Sequence, residues 1–315
     1  MIELAAIEAA RDRIAGTAIR TPMVRLRIED APAEIYLKLE NLQPISSFKI
    51  RGATNAVLLA PPGDRAKGLV TASAGNMAQG VAWAARTLGV PATIAVPEHA
   101  PEAKLAAIDR LGGRVLKLPY GDWWNVIVTS HLDGTDGLFV HPVQDPGVMA
   151  GNGTIGLEIL DDLPDPDAVV IPYGGGGLTV GIASAIKALR PATRILTAEP
   201  ETGAALAAAL AAGHPADVDY RASFVDGAGS RRVLDSMWPL VTPLVDEALA
   251  IPVTDVAAAV RLLAERARVI AEGAGALPVA AALSGRVPGK KIVCIVSGGN
   301  IDTSVLARIL EGQTP

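Results

Sequence analysis

Apolar residues in this chain fall in short, β-branched runs, and alanine-rich stretches of helical character separate them. The runs at 34–40, 68–73, 91–97, 113–119, 168–173, 193–199 and 290–297 predict strands. The stretches at 3–15, 47–60, 75–88, 101–111, 151–161, 177–189, 202–212, 254–271 and 274–284 predict helices. The last two also read as one helix interrupted at Gly273 or Gly275. Strand–helix–strand alternation argues for an α/β fold with open, mostly parallel sheets flanked by helices. Several of the runs are apolar almost throughout, as expected of strands buried on both faces.

Two α/β clusters separate along the chain. Residues 68–145 form one, and residues 1–67 together with 146–315 form the other. A chain of 315 residues is long enough for two such units. A ligand is expected in the crevice between them, at the carboxyl ends of the strands.

Composition narrows the function classes. Charged residues are 19% of the chain and the net charge is -5, which gives no broad positive field for nucleic acid or anionic lipid. The N-terminal stretch carries acidic residues early and reads as an amphipathic helix rather than an export signal. No run is long and apolar enough to span a membrane, so the expected location is the cytoplasm. Cys294 is the only cysteine, which excludes an intrachain disulfide and leaves a small residue for a buried strand.

The sharpest local feature is VVIPYGGGGLTVGIASAIKAL at 169–189. A strand runs into Gly174, Gly175, Gly176 and Gly177 and then into a helix. Glycine lets a ligand approach the backbone closely, and free N–H groups at a helix start form an anion nest. That suits a phosphate. Neither the Lys-Ser/Thr ending of a nucleotide loop nor G-x-G-x-x-G spacing is present, which argues against a nucleoside triphosphate or a dinucleotide.

The second feature is Lys49, in NLQPISSFKIRGATNAV at 41–57. Ser46 or Ser47 can cap a helix whose first turn holds Phe48 and Lys49. A cation there opposes the helix dipole, and partial burial also disfavours the charged form. Alone, such a lysine is an ordinary surface residue. With a phosphate nest elsewhere in the chain, a phosphate-bearing aldehyde would use both, since a neutral lysine forms Schiff bases.

With these two features the chain resembles the fold-type II pyridoxal-phosphate enzymes, and within them the serine/threonine dehydratase and serine racemase branch. The fold implied is the one shared with the tryptophan synthase β chain. The resemblance runs from about residue 17 to 305 through SSFKIRGA (46–53), TASAGNMAQG (71–80), PYGGGGL (172–178), AEP (198–200), DGAG (226–229), AEGAGA (271–276) and SGGN (297–300), in family order. It implies pyridoxal 5'-phosphate as cofactor, held as an imine by Lys49, which would also move the Cα proton. It makes Gly174 to Gly177 and Leu178 the phosphate cradle. Asn76 would meet the ring hydroxyl, Phe48 would lie against the ring, Ser297 would face the pyridine nitrogen, and Glu272 would help orient the cofactor. Ser73, Ala74, Gly75 and Gln79 would grip the substrate carboxylate.

The implied reaction is β-elimination of water and ammonia from L-threonine or L-serine. A serine at the pyridine nitrogen cannot hold it as a pyridinium, which suits elimination and argues against transamination. Racemisation needs a second acid/base on the other face of the Cα plane. Racemases of the branch carry a serine where this chain has Ala74, which favours the dehydratase. A racemase, or a dehydratase of phenylserine or hydroxyaspartate, remains the alternative. Met77 stands where the branch usually has histidine. Glu199 matches a divalent-cation ligand of many members, but the second carboxylate position is Ala205, which leaves that ligand set incomplete. His99, His131, His141 and His214 are scattered and read as surface or loop residues. The Trp123–Trp124 pair reads as core packing more readily than as pocket wall. No regulatory domain is expected beyond the catalytic part. A homodimer or homotetramer acting on a small amino acid is the implied assembly.

Overall fold

The computed structural model describes residues 1–100 and 102–315. Its strands are β1 (Met23–Arg25), β2 (Glu34–Leu39), β3 (Leu69–Ala72), β4 (Ala92–Pro97), β5 (Arg114–Leu118), β6 (Leu138–Phe139), β7 (Ala168–Pro172), β8 (Arg194–Pro200), β9 (Glu247–Ile251) and β10 (Lys291–Val296). Its helices are α1 (Leu4–Ile14), α2 (Lys49–Leu59), α3 (Pro62–Ala66), α4 (Asn76–Leu88), α5 (Glu102–Arg110), α6 (Tyr120–Thr129), α7 (Pro146–Asp162), α8 (Gly177–Leu189), α9 (Ala205–Ala212), α10 (Trp238–Val241), α11 (Val253–Leu262), α12 (Gly273–Leu283) and α13 (Thr303–Leu310). The expected start of the fifth helix at 101 lies outside the described residues.

Two sheets form, as the alternation of runs predicts. One has the order β1-β2-β10-β7-β8-β9 and is parallel except for β1; the other has the order β5-β4-β3-β6 and is parallel throughout. Alternate residues of β7 divide between two cores. Ala168 and Val170 join Leu277 of α12 and Val256 of α11, whereas Val169 and Ile171 join Ile155 of α7 and Ile182 of α8. Helices thus cover both faces, which is why the strand sequence is apolar at every position. In the smaller sheet Ile94 and Val96 face α2 and α4, while Ala95 faces Val126 of α6.

The chain crosses between the sheets through α2 and returns through α7, and these helices pack at backbone distance. A methyl group on Gly151 would lie 2.5 Å from the Arg51 carbonyl oxygen, so only glycine permits the approach. At the same crossing Arg51 is fully buried between two carboxylates. Its guanidinium donates to Glu40 Oε2 (2.8 Å) and Oε1 (2.9 Å), and to Glu158 Oε1 (2.6 Å) and Oε2 (2.8 Å). Buried Lys38 donates to Glu158 Oε2 at 2.5 Å. Two cations and two anions close a balanced network that ties β2 and the turn after it to α2 and α7.

The structure departs from the sequence expectations at definite places. α7 begins five residues earlier than expected, because the Asp145 carboxylate caps it, accepting from Gly147 N (2.7 Å) and Val148 N (3.2 Å), with Pro146 following. The expected helix 254–271 does not reach 271. It passes into a π-turn over Leu263–Ala267, and the chain reverses at Arg268, whose φ is +58°. The backbone then runs extended to Glu272, whose N–H donates to Gly298 O at 3.0 Å, and α12 starts afresh. A methyl on Gly275 would lie 2.6 Å from that same carbonyl, so α12 is pressed against the SGGN loop. Contact with the loop, rather than helix propensity, sets this boundary.

Candidate active site

A cavity of about 560 Å³ opens between the two sheets at the carboxyl ends of their strands. Phe48 and Lys49 reach it from the start of α2, Ser73 to Met77 from the turn between β3 and α4, and Gly174 to Leu178 from the turn between β7 and α8. Glu272 comes from the start of α12 and Ser297 from the end of β10. Four helices therefore direct N-termini at one space, which makes it electropositive without a cluster of basic side chains. β7 and β10 are neighbours from which the sheet is built outward in opposite directions, the kind of position where α/β sheets bind ligands.

The Lys49 ammonium donates to the Pro142 carbonyl at 3.0 Å and lies 5.2 Å from the centroid of the Phe48 ring. Burial pushes its pKa down to about 8, against the opposing pull of the Glu272 carboxylate. Near that pH the neutral and charged forms balance, so an amine nucleophile is available at little cost.

Across the cavity, the glycine loop lies open. No backbone carbonyl among the described residues accepts from the N–H groups of Gly174, Gly175 or Gly176. Those of Gly177 and Leu178, in the first turn of α8, have no intrahelical acceptor either. Gly176 holds φ at +93°, a conformation that suits glycine. A methyl on Gly175 would lie 2.5 Å from Val143 Cγ2, and one on Gly177 would lie 2.9 Å from Val143 O. The run is thus walled on one side by Val143 and presents N–H groups on the other.

Between lysine and glycines runs a chain of side-chain hydrogen bonds. Asn300 Nδ2 donates to Ile45 O (2.9 Å) and to Asn76 Oδ1 (2.7 Å), and Asn76 Nδ2 donates to Glu272 Oε1 (2.8 Å). With its oxygen facing Asn300, Asn76 keeps one N–H free for the cavity. Burial raises the Glu272 pKa to about 7, Asp226 adds to the rise, and the Asn76 hydrogen bond opposes it.

On the side of the smaller sheet, Ser73 Oγ accepts from Gly75 N at 3.2 Å, and Ala74 lies between them on the wall. Met77 is buried in the core beneath α4 while it borders the cavity. The outer wall is aromatic: Tyr120 and Trp123 have ring centroids 5.6 Å apart. Trp124 is exposed instead, so the pair divides between cavity wall and surface, where core packing was the simpler expectation. Lys104 of α5 pairs with Asp226 of the DGAG loop at the mouth, a link between the two sheets.

Two of the residues singled out from sequence do not line this cavity. Gln79 sits half-buried one turn into α4. Glu199 is fully buried at the end of β8, where its carboxylate accepts from Leu206 N and Ala207 N, both at 2.9 Å, at the start of α9. Burial raises its pKa to about 7, and these backbone donors oppose the rise. Both oxygens are occupied by the helix, and no group of three or more His, Cys, Asp or Glu residues suited to a metal occurs among the described residues.

The sequence reading missed Asn300, Arg51 and His141. Asn300 and Arg51 stand inside the SGGN and SSFKIRGA motifs, so their position was in view but their partners were not. His141 was expected on the surface or in a loop. It does lie in a loop, but it is buried, and its Nδ1 accepts from Val143 N (3.0 Å) and Gln144 N (2.9 Å).

Residues 14–298 match the family described as pyridoxal-phosphate dependent enzyme. The chain is 41% identical over 317 residues to an L-threonine ammonia-lyase of Thermotoga maritima, covering 99% of this chain and 79% of that protein. Among solved structures it resembles maize serine racemase, with a TM-score of 0.91, 33% identity, and coverage of 98% of this chain and 97% of the other. It also resembles a bacterial threonine deaminase (from T.th.), with a TM-score of 0.88, 36% identity, and coverage of 95% and 99%.

Proposed function

The chain belongs to the pyridoxal-phosphate dependent enzyme family, and from that premise we propose that it is an ammonia-lyase converting L-threonine or L-serine to a 2-oxo acid. The observation that carries this reading is the convergence on one cavity of an amine with its pKa pushed down to about 8 and a glycine loop with unpartnered N–H groups. These features fit pyridoxal phosphate: the loop offers donors for a phosphate, the amine can be joined to an aldehyde, and the spare Asn76 N–H suits a phenolic oxygen. Bound there, the cofactor supplies the electron sink that acidifies the Cα–H bond and lets the β-hydroxyl leave.

The chain's own groups do the rest. Lys49 takes the Cα proton, and its lowered pKa makes that transfer accessible near neutral pH. The start of α4 and the Ser73 hydroxyl hold the substrate carboxylate. Gly174 to Leu178 hold the phosphate, Phe48 packs against the ring, and Glu272 fixes Asn76. Ser297, a neutral hydroxyl, faces the ring nitrogen and keeps the sink modest. Glu199 takes no part, since its oxygens cap α9. We divide the chain into a cofactor-binding unit, 1–67 with 146–315, and a substrate-side unit, 68–145. No helix among the described residues is long and apolar enough to cross a membrane. We take the enzyme to work in the cytoplasm as a homodimer or homotetramer.

A second reading, serine racemase, is favoured by the structural likeness to the maize protein. Ala74 opposes it, because a methyl group has no proton to deliver to the face of Cα away from Lys49. The test is a 2-oxo acid assay with added pyridoxal phosphate across L-threonine, L-serine, D-serine, L-3-phenylserine and 3-hydroxyaspartate, with chiral analysis of recovered serine. Oxo-acid release from L-threonine or L-serine is expected. Cofactor binding without release from either sinks the lyase reading, and D-serine formation from L-serine without release selects the racemase.

A smaller effect is expected at Asn300. Asn300→Ala frees Asn76 to turn, and the loss of one buried hydrogen bond, about 1 kcal/mol, corresponds to roughly fivefold weaker cofactor binding. Fluorescence titration with pyridoxal phosphate measures it; unchanged affinity would show that Asn76 needs no partner.

A further inference from the structure

We propose that His141 is a positioning residue, whose Nδ1 folds the turn Pro142–Gln144 so that it seats the Lys49 ammonium and walls the glycine loop. The inference rests on the roles given above to Lys49 and the glycines.

The turn follows β6 and leads into α7, and its residues touch both ends of the cavity. The Pro142 carbonyl takes the hydrogen bond from Lys49 Nζ at 3.0 Å. Val143 supplies the side chain and the carbonyl against which Gly175 and Gly177 are packed, closely enough that no side chain fits at either. One rotation of this turn would shift the amine's acceptor and the loop's wall together. Neither helix nor sheet fixes it, and Pro142 has no N–H with which to anchor itself.

The imidazole provides the anchor. Nδ1 receives the N–H groups of Val143 and Gln144 at 3.0 and 2.9 Å, so it carries no proton and the ring is the Nε2–H tautomer. The ring is buried, only 8% exposed, and Phe139 stands edge-on at 6.3 Å between centroids. Burial lowers its pKa and the Lys49 charge acts the same way, while the Ile127 carbonyl and the Asp145 carboxylate oppose. The charged groups facing it thus leave the neutral form, the one that accepts, in place at neutral pH. Its role is that of an oriented acceptor at the centre of a turn, with no contact to substrate required.

Asparagine and alanine replacements separate this role from mere packing. The side-chain amide in the variant His141→Asn places an oxygen the same number of bonds from the backbone as Nδ1, and so restores the acceptor; His141→Ala removes it. Two measurements are made on the full chain. One is the pyridoxal phosphate dissociation constant, by fluorescence. The other, made without cofactor, is the pH midpoint of Lys49 labelling by an amine-reactive reagent, followed by peptide mass spectrometry. His141→Ala is expected to weaken cofactor binding on the order of tenfold or more and to move the labelling midpoint. His141→Asn is expected to stay near the wild type in both. An alanine variant like the wild type, or an asparagine variant as impaired as alanine, overturns the proposal. If the alanine variant does not fold, His141→Gln, whose amide lies one bond further out, serves as the displaced acceptor. If the wild type itself binds no pyridoxal phosphate, the cofactor reading fails, and the labelling midpoints still decide the role of His141.

Discussion

Lys49→Ala is expected to lower 2-oxo acid release from L-threonine and L-serine by at least ~10³-fold, because it deletes both the covalent anchor and the base. The geometry leaves no substitute. The other cation on the cavity wall is Lys104, which is held at the mouth by Asp226. Glu272 is tied to Asn76, and burial keeps its pKa near 7. His141 has its basic nitrogen filled by two backbone donors. Cofactor affinity should fall less than rate, since the glycine loop, Asn76 and Ser297 survive the change. Borohydride treatment should leave pyridoxal phosphate on the wild type at Lys49 and none on the variant. Oxo-acid release within tenfold of the wild type would mean that another group moves the Cα proton, and the assignment of Lys49 would have to be abandoned.

The parts of this site that were legible in the sequence are those whose chemistry is local. Four consecutive glycines between a strand and a helix mean unpartnered N–H groups wherever the segment folds, and the start of α8 at Gly177 was read to the residue. The strands buried on both faces, β7 and β10, announce themselves by being apolar throughout. What failed was set by distant contacts. β9, with the sequence EALAI, favours helix in isolation and becomes a strand because β8 offers it an edge. The break after α11 is made by the SGGN loop about 30 residues away, not by a residue that breaks helices. α6 begins at Pro119-Tyr120, where an N-terminal proline was the available signal, and its aromatic residues obscured the helical period. His141 and Asn300 act through one hydrogen-bonding atom each, and no pattern of types or spacings reveals what such an atom will meet. Glu199 shows the converse: the motif was legible, but a helix start, rather than a cation, occupies the carboxylate.

Arg51→Ala is expected to destabilise the fold by about 3–5 kcal/mol, the loss typical when one partner is taken from a buried ion pair. Arg51 donates five side-chain hydrogen bonds to three side chains, Glu40, Glu158 and Thr154, and none of that network reaches water freely. Burial alone would lower the arginine pKa, but the two carboxylates raise it beyond its ordinary value, so the group remains charged. For Glu40, burial would raise the pKa, but Arg51, Thr21 and Lys38 outweigh it and hold the value below the ordinary 4.5. A carboxylate with a depressed folded pKa stabilises the protein above its unfolded value and loses that contribution as pH falls through the folded one. Wild-type stability should therefore decline below about pH 4.5, and the part of that decline due to Glu40 should vanish in the variant. Thermal unfolding at neutral pH should drop on the order of 10 °C. Arg51→Lys should recover only part of this, because a single ammonium cannot bridge two carboxylates as the planar fork does. The network reaches the chemistry through α2, where Lys49 is two residues from Arg51, so cofactor binding should weaken with stability. A variant that keeps the wild-type melting temperature would show that Glu40 and Glu158 are accommodated without their cation. The crossing between the two sheets would then owe its rigidity to glycine packing alone.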